Sequence, residues 1–190
     1  MPKLPEANQL LKDQRRHRLL SASLSVFAEL DYAKVSIEPI TKNARCTRSL
    51  FYHYFKDKKE LFSALIEETI LPSKTILNLA LIEDENGIEY LCEYFAKTAQ
   101  KDAKSLWIAK VLLRYPLEEA FAKDFPKFAK ERRLDLILAK RLKQSQKEGR
   151  IIAGPIKEIV QASLALFQYV LNHPGEISSD VLFNLLSKGY

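Results

Sequence analysis

The chain has 190 residues, 47% apolar and 28% charged, which suffices for a buried core and excludes a disordered polymer. Only 5 residues are glycine, against a usual share of roughly 7%, which argues against Gly-rich phosphate loops and turn-dense β-sandwiches and for an all-α chain. Of the net charge of +6, residues 1–60 carry 12 basic and 7 acidic side chains, so the first third is the part suited to a polyanion.

Two cysteines, Cys46 and Cys92, make no disulfide framework. Charges recur from Lys3 to Arg16, so no signal peptide is expected. The longest stretch free of Asp, Glu, Lys and Arg, Ile159–Gly175, is interrupted by Gln, Asn, His and Pro and makes a poor membrane span. A cytoplasmic protein without membrane contact is expected.

Residues 1–10, with Pro2 and Pro5, read as a loose tail. From Lys12 the pattern is helical, with Leu20, Leu24 and Phe27 at i, i+4, i+7 and Arg15, Arg16 and Arg18 near the start. Asp31 is expected to stop this helix in the left-handed conformation. Ser36 then caps a short helix with Pro39 in its first turn, 43–46 form a tight turn, and Thr47 caps a third helix to Tyr54 or Phe55. Asp57 and Glu60 form a capping box for a fourth, which Pro72 should end.

Helices follow over Ile88–Lys101 and Ser105–Tyr115. One long basic helix is expected from Phe125 to Lys147, closed by Gly149. Ile156–Leu171 and about Ser179–Ser187 complete a count of about nine helices. Ile159–Leu171 is apolar nearly all round, the mark of a helix buried on both sides, and the second side suits a partner subunit.

Residues 36–55 carry the functional signal, because their spacing is that of a helix-turn-helix whose second helix enters the major groove. With Ile37, Ile40, Ala44, Cys46, Phe51 and Phe55 inward, Thr47, Arg48, Ser49, Tyr52 and His53 point outward. Arg48 can donate bidentately to guanine O6 and N7. Tyr52 and His53 suit phosphate or thymine-methyl contacts, and Thr47 and Ser49 sit where backbone N–H groups favour phosphate oxygens.

The stretches Phe27–Tyr32, Val35–Ile37 with Ile40 and Ala44, and above all Ser49–Phe62, resemble the N-terminal domain of the TetR family of transcriptional repressors over about residues 14–66. That resemblance implies a three-helix DNA-binding domain in residues 1–56, counting the tail, and a helical effector-binding and dimerisation domain in 57–190. It implies that Ser36, Arg45, Thr47, Arg48, Ser49, Tyr52 and His53 lie near DNA and that Lys58 touches backbone phosphate. Asp31, Arg45 and Ser49 stand where the family commonly has glycine.

By the same resemblance the chain is a homodimeric repressor that binds a palindromic operator in double-stranded DNA and is released by a small-molecule effector of unknown identity. The dimer interface is expected at Ile159, Val160, Leu164, Phe167, Leu171, Leu182 and Leu186. Tyr94, Trp107, Lys110, Arg114, Phe121 and Phe125 either line an effector pocket or, for the aromatics, fill a core; a surface location suits Lys110 and Arg114. The competing reading keeps the fold and DNA binding but has no small-molecule effector, the protein acting structurally on the chromosome or through a protein partner. No catalytic role, metal or cofactor is expected, since His17, His53 and His173 are far apart and no nucleophile motif occurs.

Overall fold

A computed structural model describes residues 4–74 and 76–187. Among them are eleven α-helices: α1 Leu4–Glu29, α2 Ile37–Asn43, α3 Arg48–Tyr54, α4 Lys58–Leu65, α5 Gly87–Lys101, α6 Ala103–Arg114, α7 Glu119–Asp124, α8 Pro126–Glu131, α9 Leu134–Lys147, α10 Ile156–Asn172 and α11 Ser179–Leu186. The described residues contain no strand, only an isolated bridge between Ile151 and Ser187. No helix among them is long and apolar enough to cross a membrane. The chain divides into two compact units, residues 1–74 and 75–190. The helix-turn-helix itself ends near residue 56, and α4 stays with the first unit because it packs on α1.

In the first unit, α1 begins earlier than the sequence pattern suggests. Leu4–Leu10 is helical rather than a loose tail, since Pro5 in a first turn removes an N–H that has no helical partner; residues 1–3 lie outside the described residues. Asp31 does not adopt the expected left-handed conformation either. Its φ of −61° and ψ of 144° are extended, and its carbonyl accepts the Lys34 and Val35 amides at 2.9 and 3.2 Å. Asp31 thus opens a short turn over Tyr32–Lys34 instead of capping α1.

The buried face of α1, Leu20, Leu24 and Phe27, packs on α2 and α4. Phe27 meets Phe62 edge-on with centroids 4.6 Å apart, and Tyr32 meets the same ring at 5.8 Å. Each such aromatic, taken fully out of water, contributes about 1.5–3 kcal/mol. The start of α4 is fixed reciprocally: Asp57 Oδ1 accepts the Glu60 amide at 2.8 Å, and Glu60 Oε2 accepts the Lys56 amide at 2.7 Å. A π-turn over Ile66–Ile70 continues the helix until Leu71 and Pro72.

In the second unit, α5 is the central element, packed against α6, α9, α10 and α11. Phe95 stacks on Phe167 of α10 at 4.5 Å. The single helix expected over Phe125–Lys147 is two helices, α8 and α9, and α7 precedes them. The break falls at Arg132–Arg133, where the Leu134 amide donates back to the Arg132 carbonyl at 2.8 Å. Arg133 binds the Asp135 carboxylate through Nε and Nη2 at 2.7 and 2.6 Å, placing an acid in the first turn of α9, where the helix dipole favours it. Gly149, at φ 71°, ends α9, with the Arg150 amide donating to Ser145 O and the Gly149 amide to Gln146 O.

Candidate nucleic-acid interface

The turn between α2 and α3 is set by three backbone bonds. The amides of Ala44, Arg45 and Cys46 donate to the carbonyls of Ile40, Lys42 and Thr41 at 2.9, 3.1 and 3.0 Å. The last two are the bond pattern that closes a helix when the intervening residue is left-handed. That residue is Arg45, at φ 52° the described non-glycine residue with positive φ. A left-handed non-glycine costs roughly 1–2 kcal/mol, so the turn keeps its geometry and carries the cation outward, exposed.

Thr47 starts α3, its Oγ1 accepting the Leu50 amide at 3.2 Å. Ser36 flanks α2 without a side-chain cap bond. Behind the two helices lie Ile40, Ala44, Phe51 and Phe55, all 2% exposed or less, with Ile37 and Cys46 half-buried. In front, Ser36, Arg45, Thr47, Arg48, Ser49, Tyr52 and His53 are all exposed, Tyr52 at 56%. The outward set read from the sequence therefore shares one surface. Glu38, not singled out in the sequence, joins it: its Oε2 accepts from Arg48 Nη2 at 3.0 Å.

Two basic groups are placed differently. Lys58 is half-buried, with Nζ donating to the Tyr32 carbonyl at 2.7 Å and lying 4.5 Å from the Tyr32 ring centroid. Its ammonium is thus anchored at the exit of α1. Arg16 pairs with Glu68, lies over the Phe55 ring at 5.3 Å, and is held still more firmly charged by the Glu68 bond. Arg15, Arg18, Lys42, Lys56 and Lys59 remain exposed around the helix-turn-helix. Burial pushes the Cys46 thiol up, against the opposing pull of Arg18, and pushes Cys92 up to about 12. Both are protonated near neutrality and poor nucleophiles.

The expected interface stripe on α10 and α11 faces inward. Ile159, Val160, Phe167, Leu171, Leu182 and Leu186 are at most 7% exposed, and Leu164 packs against the same core. α5 packs on that side, so the six buried side chains offer a partner almost no area, and Leu164 is half-buried. The opposite face carries the exposed apolar residues: Ala162 and Ala165, with Tyr169, Val181 and Leu185 at 41%, 50% and 52%.

The six residues considered for an effector pocket lie on α5, on α6, and on α7 with the residue that follows it. Phe121 is fully buried, stacked on Phe125 at 5.0 Å and tilted against Tyr115 at 5.3 Å. Tyr94 lies on α5 edge-on to Phe95 at 5.1 Å, and burial drives its hydroxyl well above the usual tyrosine range. Trp107 and Arg114 are half-buried on α6, Arg114 Nε lying 3.7 Å from Glu118 Oε1. Lys110 is buried at 7% exposure, not on the surface as expected. Two clefts of this unit are lined by other residues. One, of about 260 Å³, includes Glu89, Tyr90, Glu93 and Phe183; another, of about 240 Å³, includes Ile137, Lys140, Arg141 and Gln144. The described residues contain no cluster able to hold a metal ion.

Residues 19–65 match the model of the bacterial regulatory proteins of the tetR family. Over those residues the chain is similar to the TetR family of transcriptional regulators. It is 38% identical over 53 residues to the transposon Tn10 TetC protein of Escherichia coli, covering 28% of this chain and 27% of that protein. It is 30% identical over 60 residues to the HTH-type transcriptional regulator HbdR of Aromatoleum sp. (strain CIB), covering 32% and 26%. The similarity thus spans about a quarter of the length of these relatives. Over most of the chain, a crystal structure of an alanine-substituted mutant of HlyIIR superposes with a TM-score of 0.68, covering 92% of this chain and 96% of that one at 18% identity. At that identity the likeness concerns the fold alone.

Proposed function

We propose that this chain is a sequence-specific DNA-binding regulator, acting in the cytoplasm as a homodimeric repressor on a palindromic operator and released by a small molecule. The observation that carries the proposal is the surface of α2 and α3. A buried apolar back fixes the two helices, while Arg48, Ser49, Tyr52 and His53 are exposed on α3 with Arg45 beside them in the turn. Arg48 reads guanine, Tyr52 and His53 contact phosphate or a thymine methyl, and Thr47, Ser49, Ser36 and Arg45 hold the backbone.

The exposed apolar face of α10 and α11, with Tyr169, Val181 and Leu185, supports dimerisation there. Two copies related by a two-fold axis would set α3 of each into successive major grooves about 34–36 Å apart. An effector acts by binding more tightly to a dimer whose recognition helices have the wrong spacing. The packing of Phe121 directly on Phe125 and Tyr115 favours a second reading, in which these aromatics are core and regulation needs no small molecule. A thermal-shift screen separates the two, because a specific ligand raises Tm with concentration over Kd.

The DNA-reading role is tested by Arg48→Ala at fixed salt. Loss of discrimination between the preferred duplex and a variant at one G·C pair, by roughly fivefold to more than a hundredfold, supports it. An equal loss of affinity for every sequence assigns Arg48 to phosphate instead.

A further inference from the structure

We infer that Glu38 is a positioning residue for Arg48 and thereby sets how sharply the chain reads its operator. The inference rests on the proposed DNA-binding function and concerns a carboxylate that no base- or phosphate-contact role requires.

Both ends of the Glu38–Arg48 pair are built into rigid backbone. Arg48 is the first residue of α3, fixed by the Thr47 cap. Glu38 lies in the first turn of α2, its carbonyl accepting Thr41 Oγ1 at 2.9 Å. Arg48 Nη2 then reaches Glu38 Oε2 at 3.0 Å across the angle between the helices. The two side chains are 66% and 73% exposed, so water screens the pair and it adds little to stability. Its consequence is orientation. A guanidinium has five N–H donors in a planar fork; one spent on Glu38 leaves enough for a complete fork to guanine O6 and N7, with the long side chain already restrained. An unrestrained arginine must lose that rotamer freedom on binding.

Glu38 also adds a cost wherever Arg48 is not seated on its base. A carboxylate on the DNA-facing surface repels phosphate, and this repulsion penalises non-specific complexes more than one in which the guanidinium lies between carboxylate and base. Positioning and repulsion are separable, because Gln keeps the hydrogen-bond acceptor and loses the charge.

The experiment uses the full-length protein. Duplexes are selected from a random library by the unaltered chain. Affinities at fixed salt are then measured for the enriched duplex, its single-pair variants and poly(dI-dC), using the unaltered chain, Glu38→Ala, Glu38→Gln, Arg48→Ala and the double variant Glu38→Ala/Arg48→Ala. The expected result is that Glu38→Ala lowers discrimination at one G·C pair by roughly three- to tenfold, that Glu38→Gln restores most of it, and that both bind poly(dI-dC) more tightly. In the Arg48→Ala background Glu38→Ala should leave discrimination unchanged. Equal discrimination by the Ala and Gln variants, or an effect of Glu38→Ala that persists without Arg48, overturns the positioning role while leaving the DNA-binding function standing. Failure of the unaltered chain to enrich any sequence overturns both.

Discussion

The Cys46 amide donates to the Thr41 carbonyl at 3.0 Å, closing α2 over a residue that is left-handed although it is arginine. The turn that angles α3 against α2 is therefore held by hydrogen bonds in spite of a side chain that disfavours its conformation.

Replacing that residue separates conformation from charge. Arg45→Gly relieves roughly 1–2 kcal/mol of left-handed strain and gives back roughly 0.5–1 kcal/mol through a more flexible unfolded chain. Urea melts should show a net change of about 0–1.5 kcal/mol in favour of the variant. If Arg45 neutralises one phosphate, the slope of log affinity against log salt should fall by about 0.9; an unchanged slope removes Arg45 from the DNA contacts.

Phe27 and Phe62 lock α1 to α4. Phe62→Ala should cost about 3–5 kcal/mol, read as a large drop in the denaturant midpoint. A loss below about 1 kcal/mol would mean that the rings of Phe27 and Tyr32 collapse into the space.

The two faces of α10 and α11 make opposite predictions. Leu185→Glu, on the exposed face, should convert a dimer to a folded monomer in sedimentation, with helical circular dichroism retained. Leu171→Ala, inside the second unit, should instead lower stability by about 2–5 kcal/mol and leave the folded fraction dimeric.

The Arg133–Asp135 contact gives a pH signature. The guanidinium holds the Asp135 carboxyl below its ordinary value, so its stabilising contribution is present above the unfolded value, about pH 4, and is lost as pH falls through the lower folded value. Asp135→Asn should therefore be less stable than the unaltered chain at neutral pH, and the gap should narrow as pH falls below about 4. A gap independent of pH would mean that the contact acts by packing alone.

Much of this architecture is legible in local patterns. Thr47 and Asp57 signal their helix starts because a side-chain oxygen one residue outside a helix satisfies an amide inside it, and both bonds are present. The outward set on α3 follows from the burial of Phe51 and Phe55 at helical spacing. What local pattern does not contain is which apolar face of a two-sided helix meets its own subunit. On α10 both faces read as buried, and the contact with α5 assigns Ile159 and Phe167 to the core. Lys110 departs from its expected surface location for a related reason: a long aliphatic stem is compatible with burial along apolar surface. The break at Arg132–Arg133 lies within a continuous helical pattern and carries no proline or glycine.

Whether α3 reads a symmetric operator is decided by selecting duplexes from a random library with the 190-residue chain and sequencing those it retains. The expected result is enrichment of a two-fold symmetric motif whose half-sites lie about 10–10.5 base pairs apart, or a multiple of that, containing a G·C pair that Arg48→Ala no longer selects. Enrichment of no motif, or of one that Arg48→Ala selects equally well, would contradict it.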